Sequence, residues 1–175
     1  MKQAYVSVVL SIGKLPTLNE LEQLDAALAQ TTRIHEIVVL VPFVGQLDEA
    51  LLAASLDGPL TLVSTHSRAT RDAVIIAGLG RAVGDFVVEW RGPIEGLDRV
   101  TLAELLALTD ARIELIEVAA VEESIASRSF YRFANSLRPR DAPLRKTVAR
   151  VYSRRALAQV LSATSFETQV GVLAA

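Results

Sequence analysis

Four short runs rich in β-branched and aliphatic residues, YVSVVLS (5–11), EIVVLV (36–41), LTLVS (60–64) and DFVVEW (85–90), recur along the first half of the chain. They are nearly continuous in apolar character rather than alternating, the pattern of strands covered on both faces. Between them lie stretches with helical spacing. The first opens on TLNE (17–20), where the Thr17 hydroxyl can accept from the Glu20 amide while the Glu20 carboxylate reaches back to the Thr17 amide. Leu18, Leu21, Leu24 and Leu28 then share one helical face. Further helices are predicted over 48–55 and 70–82. Strand and helix alternate with short connections, which predicts right-handed βαβ units and a three-layer α/β/α fold around a mainly parallel sheet.

The second half continues in kind. Asp98 can cap a helix running to about Leu108, RIELIEV (112–118) reads as a strand, and 122–137 as a helix carrying Ile125, Phe130, Phe133 and Leu137. TVARVYS (147–153) is a further strand and RRALAQVLS (154–162) a last helix. The chain has 175 residues, about half of them apolar, and no repeat or linker, so one compact domain over 1–175 is expected. Ligands of parallel sheets bind beyond the carboxyl ends of the strands. The loops after Leu10, Val41, Ser64 and Trp90 are therefore where function is expected.

Composition removes several classes of function. With no cysteine there is no disulfide, thiolate nucleophile or cysteine–zinc site, in keeping with a reducing, cytoplasmic setting. No run of eighteen uncharged apolar residues and no basic, apolar leader is present, so a soluble protein is expected. The net charge of −2 conceals a division: residues 1–127 hold nine Lys and Arg against eighteen acids, and 128–155 hold nine basic residues against Asp141 alone. Such a segment meets an anion, whether the acidic face of its own domain, a phosphate, a lipid surface or nucleic acid. Its own domain stands first among these. Nucleic acid stands last, because the domain as a whole is acidic and the basic positions lack aromatic interleaving.

The order of these pieces resembles the family-2 glycosyltransferases of the GT-A fold, especially the branch with polyprenyl-phosphate acceptors, such as dolichol-phosphate mannose synthases. The residues that carry the resemblance are VSVVLS with the helix LNELEQLDAALAQ, HEIVVLV, AGLGRAVGDFVVEW, and later SFYRFANSL and VYSRRAL. It spans nearly the whole chain and implies a domain descended from enzymes that transfer a sugar, with inversion, from a nucleotide-diphospho-sugar held with Mg²⁺ or Mn²⁺. The departures fall at the binding loops. Ser11 stands where the family has a proline, Leu40 and Val41 replace nucleoside-binding acids, and Arg68, Thr70 and Asp72 replace an asparagine and glycines. Arg91-Gly92-Pro93 replaces the Asp-x-Asp that grips the metal. Divalent ions need charged oxygen ligands, which Arg91 cannot supply.

By this resemblance the nucleotide-sugar positions are Ser11, Val41, Arg68, Asp72, Arg91 and Arg154, with no metal ligand and no assigned catalytic base. Two functions follow. One is a metal-independent transferase in which Arg91 pairs with the diphosphate and, with Arg154 or Arg155, neutralises the leaving group. The other is an inactive interaction or regulatory module in polysaccharide or glycolipid synthesis, with a protein partner or a second copy of the chain. A polyprenyl-phosphate acceptor and a peripheral contact through Arg138, Arg140, Arg145 and Lys146 belong to the same expectation. Other residues have plain readings: Trp90 as core filler, His66 and His35 as bystanders, Asp72 favouring a helix start, Asp85 a turn. GLGRAVG (78–84) closes a helix and precedes a strand, the reverse of a dinucleotide fingerprint.

Overall fold

The computed structural model describes residues 4–11, 15–41, 55–64, 70–107, 114–119 and 147–173, with backbone alone at 71 and 164–173. The elements are β1 (Tyr5–Leu10), α1 (Leu18–Thr31), β2 (Ile34–Val41), β3 (Leu60–Ser64), α2 (Arg71–Arg81), β4 (Phe86–Trp90), a 3₁₀ turn (Ile94–Gly96), α3 (Arg99–Ala107), β5 (Leu115–Ala119), β6 (Thr147–Ser153) and α4 (Arg154–Leu173). The helices expected over 48–55 and 122–137 lie outside the described residues, apart from Ser55. The others form where the spacing placed them, although α4 runs eleven residues beyond the segment expected from its sequence. The capping box of α1 is made: the Thr17 amide donates to Glu20 Oε2 at 2.5 Å and the Glu20 amide to Thr17 Oγ1 at 3.3 Å.

The six strands form one sheet in the order β3-β2-β1-β4-β6-β5. Pairings β3–β2, β2–β1 and β1–β4 are parallel, whereas β6 runs antiparallel to both β4 and β5. One face packs Val6, Val8, Leu10, Ile37, Val39 and Val88 against Leu21, Leu24 and Leu28 of α1 and Leu102 and Leu105 of α3. The other packs Val9, Val38, Leu40 and Val87 against Ile75 and Leu79 of α2 and Leu157 of α4. Covering on both sides is what the unbroken apolar runs require. Each fully buried Val or Leu contributes roughly 1.5–3 kcal/mol relative to exposure.

Two polar clasps admit charged residues into this core. Asp25, on the buried face of α1, accepts from His35 Nε2 at 2.6 Å, from the Asp57 amide at 2.6 Å and from the Gly58 amide at 3.2 Å. Helix α1, the start of β2 and the turn into β3 are thereby tied at one carboxylate. His35 was expected to be a bystander, and instead it is buried at 5% exposure. The second clasp joins β1, β2 and the entry to β4. Ser7 Oγ donates to Glu36 Oε1 at 2.5 Å, and the amides of Val83 and Gly84 donate to Glu36 Oε1 and Ser7 Oγ, each at 2.7 Å. β2 extends two residues, Ile34 and His35, beyond the run 36–41 that announced it, and the buried His35 has its partner in Asp25.

Candidate active site crevice

The strand order changes direction at β1: β2 and β3 lie to one side and β4 to the other. Such a reversal leaves a crevice between adjacent strands at their carboxyl ends, the place where open α/β sheets bind ligands. By this strand order its place is between the ends of β1 and β4. Ser11 follows β1, is buried at 5% exposure, and its amide donates to the Trp90 carbonyl at 2.8 Å, closing the sheet below the crevice. Arg91 follows β4, and its amide donates to the Val148 carbonyl of β6 at 2.8 Å.

The Arg91-Gly92-Pro93 turn is a packed shelf. Trp90 Nε1 donates to the Pro93 carbonyl at 2.9 Å, and the indole ring lies under Gly92. A Cβ at position 92 would stand 2.9 Å from Val148 Cγ1 and 3.0 Å from Trp90 Cζ2, so only glycine lets the turn fold down this closely. Ile94 and Leu97 are buried immediately after it.

Beneath the shelf is a polar network on the α2/α4 face of the sheet. Arg91 Nε donates to Glu89 Oε1 at 2.6 Å, and Tyr152 of β6 donates its hydroxyl to Glu89 Oε2 at 2.9 Å. The Glu89 side chain is wholly buried and that of Arg91 is 25% exposed. Arg150 stands opposite Glu89 in the β4–β6 register and opposite Glu117 in the β5–β6 register, donating through Nε to Glu117 Oε1 at 2.7 Å. Burial, with the Glu89 carboxylate added to it, holds the Tyr152 hydroxyl well above the ordinary tyrosine range. A folded value above the unfolded one of about 10 gives a stabilisation fully present below that pH and lost as pH rises through the folded value. Tyr152→Phe is expected to flatten the fall in stability above about pH 10, and to cost about 1–2 kcal/mol at neutral pH by stripping a donor from Glu89. Urea titrations across that range read both effects, and an unchanged alkaline slope would contradict the assignment.

The six positions singled out from sequence do not all meet here. Ser11 and Arg91 flank the crevice on neighbouring strands. Val41 ends β2 on the same edge but is fully buried and offers no polar group. Asp72 is exposed in the first turn of α2, whose start follows the carboxyl end of β3. Arg68 lies outside the described residues, as does His66. Arg154 is at the opposite edge, because β6 is antiparallel and ends beside the start of β4. About 20 Å of extended strand separates it from Arg91. Its guanidinium donates to the Ala82 carbonyl at 2.9 Å and to the Gly84 carbonyl, closing the end of α2. Joint neutralisation of a leaving group by Arg91 and Arg154 or Arg155 is therefore corrected by the topology.

The described part of the basic segment serves its own domain. Arg150 pairs with Glu117, Arg154 with main-chain carbonyls, and Arg155 lies 3.4 Å from Glu114. Residues 128–146, including those expected to meet a membrane, lie outside the described residues. Among the described residues no helix is long and apolar enough to cross a membrane.

The divalent ion that the resemblance implies does not fit the residues of the shelf. Both oxygens of Glu89 are engaged by Arg91 and Tyr152, Glu95 is exposed on the 3₁₀ turn, and Arg91 brings a cation where a divalent ion needs anionic oxygens. Among the described residues no group of three His, Asp or Glu is gathered for a metal.

No protein-family model matches the chain, and no curated protein matches it. Among solved structures it is similar to a 4-diphosphocytidyl-2C-methyl-D-erythritol synthase from Anaerococcus prevotii, with a TM-score of 0.48 and 10% identity over 91% of this chain and 74% of that one. The fold assignment rests on the strand order itself.

Proposed function

We propose that the domain binds a nucleotide-diphospho-sugar in the β1/β4 crevice without a divalent ion, as a metal-independent or inactive relative of the glycosyltransferases it resembles. The observation that carries this is Arg91, held by a buried carboxylate at the end of β4 beside Ser11. A guanidinium presents planar N–H donors that match phosphate oxygens in pairs, and its Nε bond to Glu89 leaves the two terminal amino groups for that task. Among the described residues those groups have no hydrogen-bond partner. The Ser11 end of β1 supplies the opposite wall.

Calorimetric titration with UDP, GDP and their sugar conjugates, with Mn²⁺ and with chelator, tests the reading. Binding is expected to be unaffected by chelator, and Arg91→Lys, which keeps the charge and loses the fork, is expected to weaken it about tenfold. Binding only with Mn²⁺ would overturn metal independence. No binding by any donor would move the assignment to an interaction module, to be sought by co-purification with a partner.

A further inference from the structure

Glu89 is wholly buried and so closed off from the crevice, yet among the described residues it is the one carboxylate bonded to Arg91. Around it, among the described residues, four charges gather on one face of three neighbouring strands. Glu89, Arg150 and Glu117 stand in a single cross-strand row, and Arg91 reaches back to Glu89 from two residues further on. Two cations and two anions make the row neutral. We infer that Glu89 is an affinity-determining residue that acts through Arg91, balancing its charge so that the crevice offers a diphosphate oriented donors but little net positive potential. The inference rests on the proposed reading of the crevice as a diphosphate site.

The physical basis is the difference between orientation and charge. Hydrogen-bond donors select a ligand by geometry whatever the surrounding charge, whereas a net cation attracts every polyanion over the screening length of the solvent. Glu89 supplies the first and cancels the second. A diphosphate released after transfer leaves a neutral site more readily than a cationic one, so the arrangement favours exchange of ligand over tight retention of its anionic part.

Glu89→Gln separates these two roles. Glutamine keeps an oxygen to accept from Arg91 Nε, and the Tyr152 hydroxyl, which both donates and accepts, turns to meet the new amide. The geometry is kept and one negative charge is lost. Calorimetry with pyrophosphate and with UDP, in metal-free buffer at low and moderate salt, is expected to show about tenfold tighter binding at low salt and a steeper salt dependence than the wild type. Arg150→Gln, at a partly exposed position, removes a cation from the same row and is expected to shift affinity the other way. A role confined to folding would move neither salt slope. Equal or weaker binding by Glu89→Gln, with wild-type binding intact, overturns the inference and leaves the crevice assignment standing; absence of binding by wild type and both variants overturns the two together.

Discussion

Replacing Asp25 with alanine is expected to cost about 4 kcal/mol of folding stability, the sum of orphaning three donors at one to a few kcal/mol each with partial rehydration. The donors are His35 Nε2 and the main-chain amides of Asp57 and Gly58, all within 3.2 Å of the carboxylate. No rotamer change can replace them, because the site is enclosed by α1, β2 and the turn before β3. For a domain whose total stability is of the order of 5–15 kcal/mol, the loss is a large part of the whole. The melting temperature is expected to fall by about 10 °C or somewhat more. Asp25→Asn keeps one acceptor oxygen and is expected to lose about half as much. Urea unfolding at neutral pH measures all three proteins, and a cost below about 1 kcal/mol for the alanine variant would show that the clasp is already open to water.

Gly84→Ala is expected to be nearly as damaging, about 3 kcal/mol, for a steric rather than a polar reason. A Cβ there would lie 2.7 Å from the Ser7 nitrogen, from Ser7 Oγ and from the Tyr5 carbonyl oxygen. Two of these are main-chain atoms of β1, a strand with neighbours on both sides, so they cannot yield without opening the sheet. Moving the turn instead would break the bonds of Val83 and Gly84 to Glu36 and Ser7 and those of Arg154 to Ala82 and Gly84. Gly80, four residues earlier, is the internal control. It is exposed on α2 with no atom within 4 Å of a built Cβ, so Gly80→Ala is expected to stabilise the protein by about 0.5–1 kcal/mol. Opposite signs at these two glycines, read from denaturant midpoints, are the result to look for. A neutral Gly84→Ala would mean that the β4 entry is not clamped.

The strands were legible because runs such as YVSVVLS and LTLVS fit little else than a sheet covered on both faces, and the helices because leucines recur at helical spacing between them. The polar clasps between distant segments were not, because their members lie far apart in sequence: Tyr152 with Glu89, Arg154 with Gly84, Glu36 with Val83. Two signals were available. Asp25 falls on the stripe marked by Leu21, Leu24 and Leu28, and a carboxylate on an apolar helix face demands a buried partner. Glu89 gave a similar sign as the lone charge late in DFVVEW. The misplacement of Arg154 has a single cause, the direction of β6. A parallel β6 would have delivered VYSRRAL to the crevice, and an antiparallel one delivers it to the far edge. No local pattern distinguishes the two.

Strand β4 pairs only with β1, which ends before the first helix, and with β6, which begins after the fifth strand. Neither neighbour is close along the chain, so the strand that carries Arg91 gains nothing from local closure and becomes ordered only when both long loops have closed. The crevice is consequently expected to form late in folding. A half-assembled chain can possess α1, β2 and β3 and still lack the β1/β4 crevice.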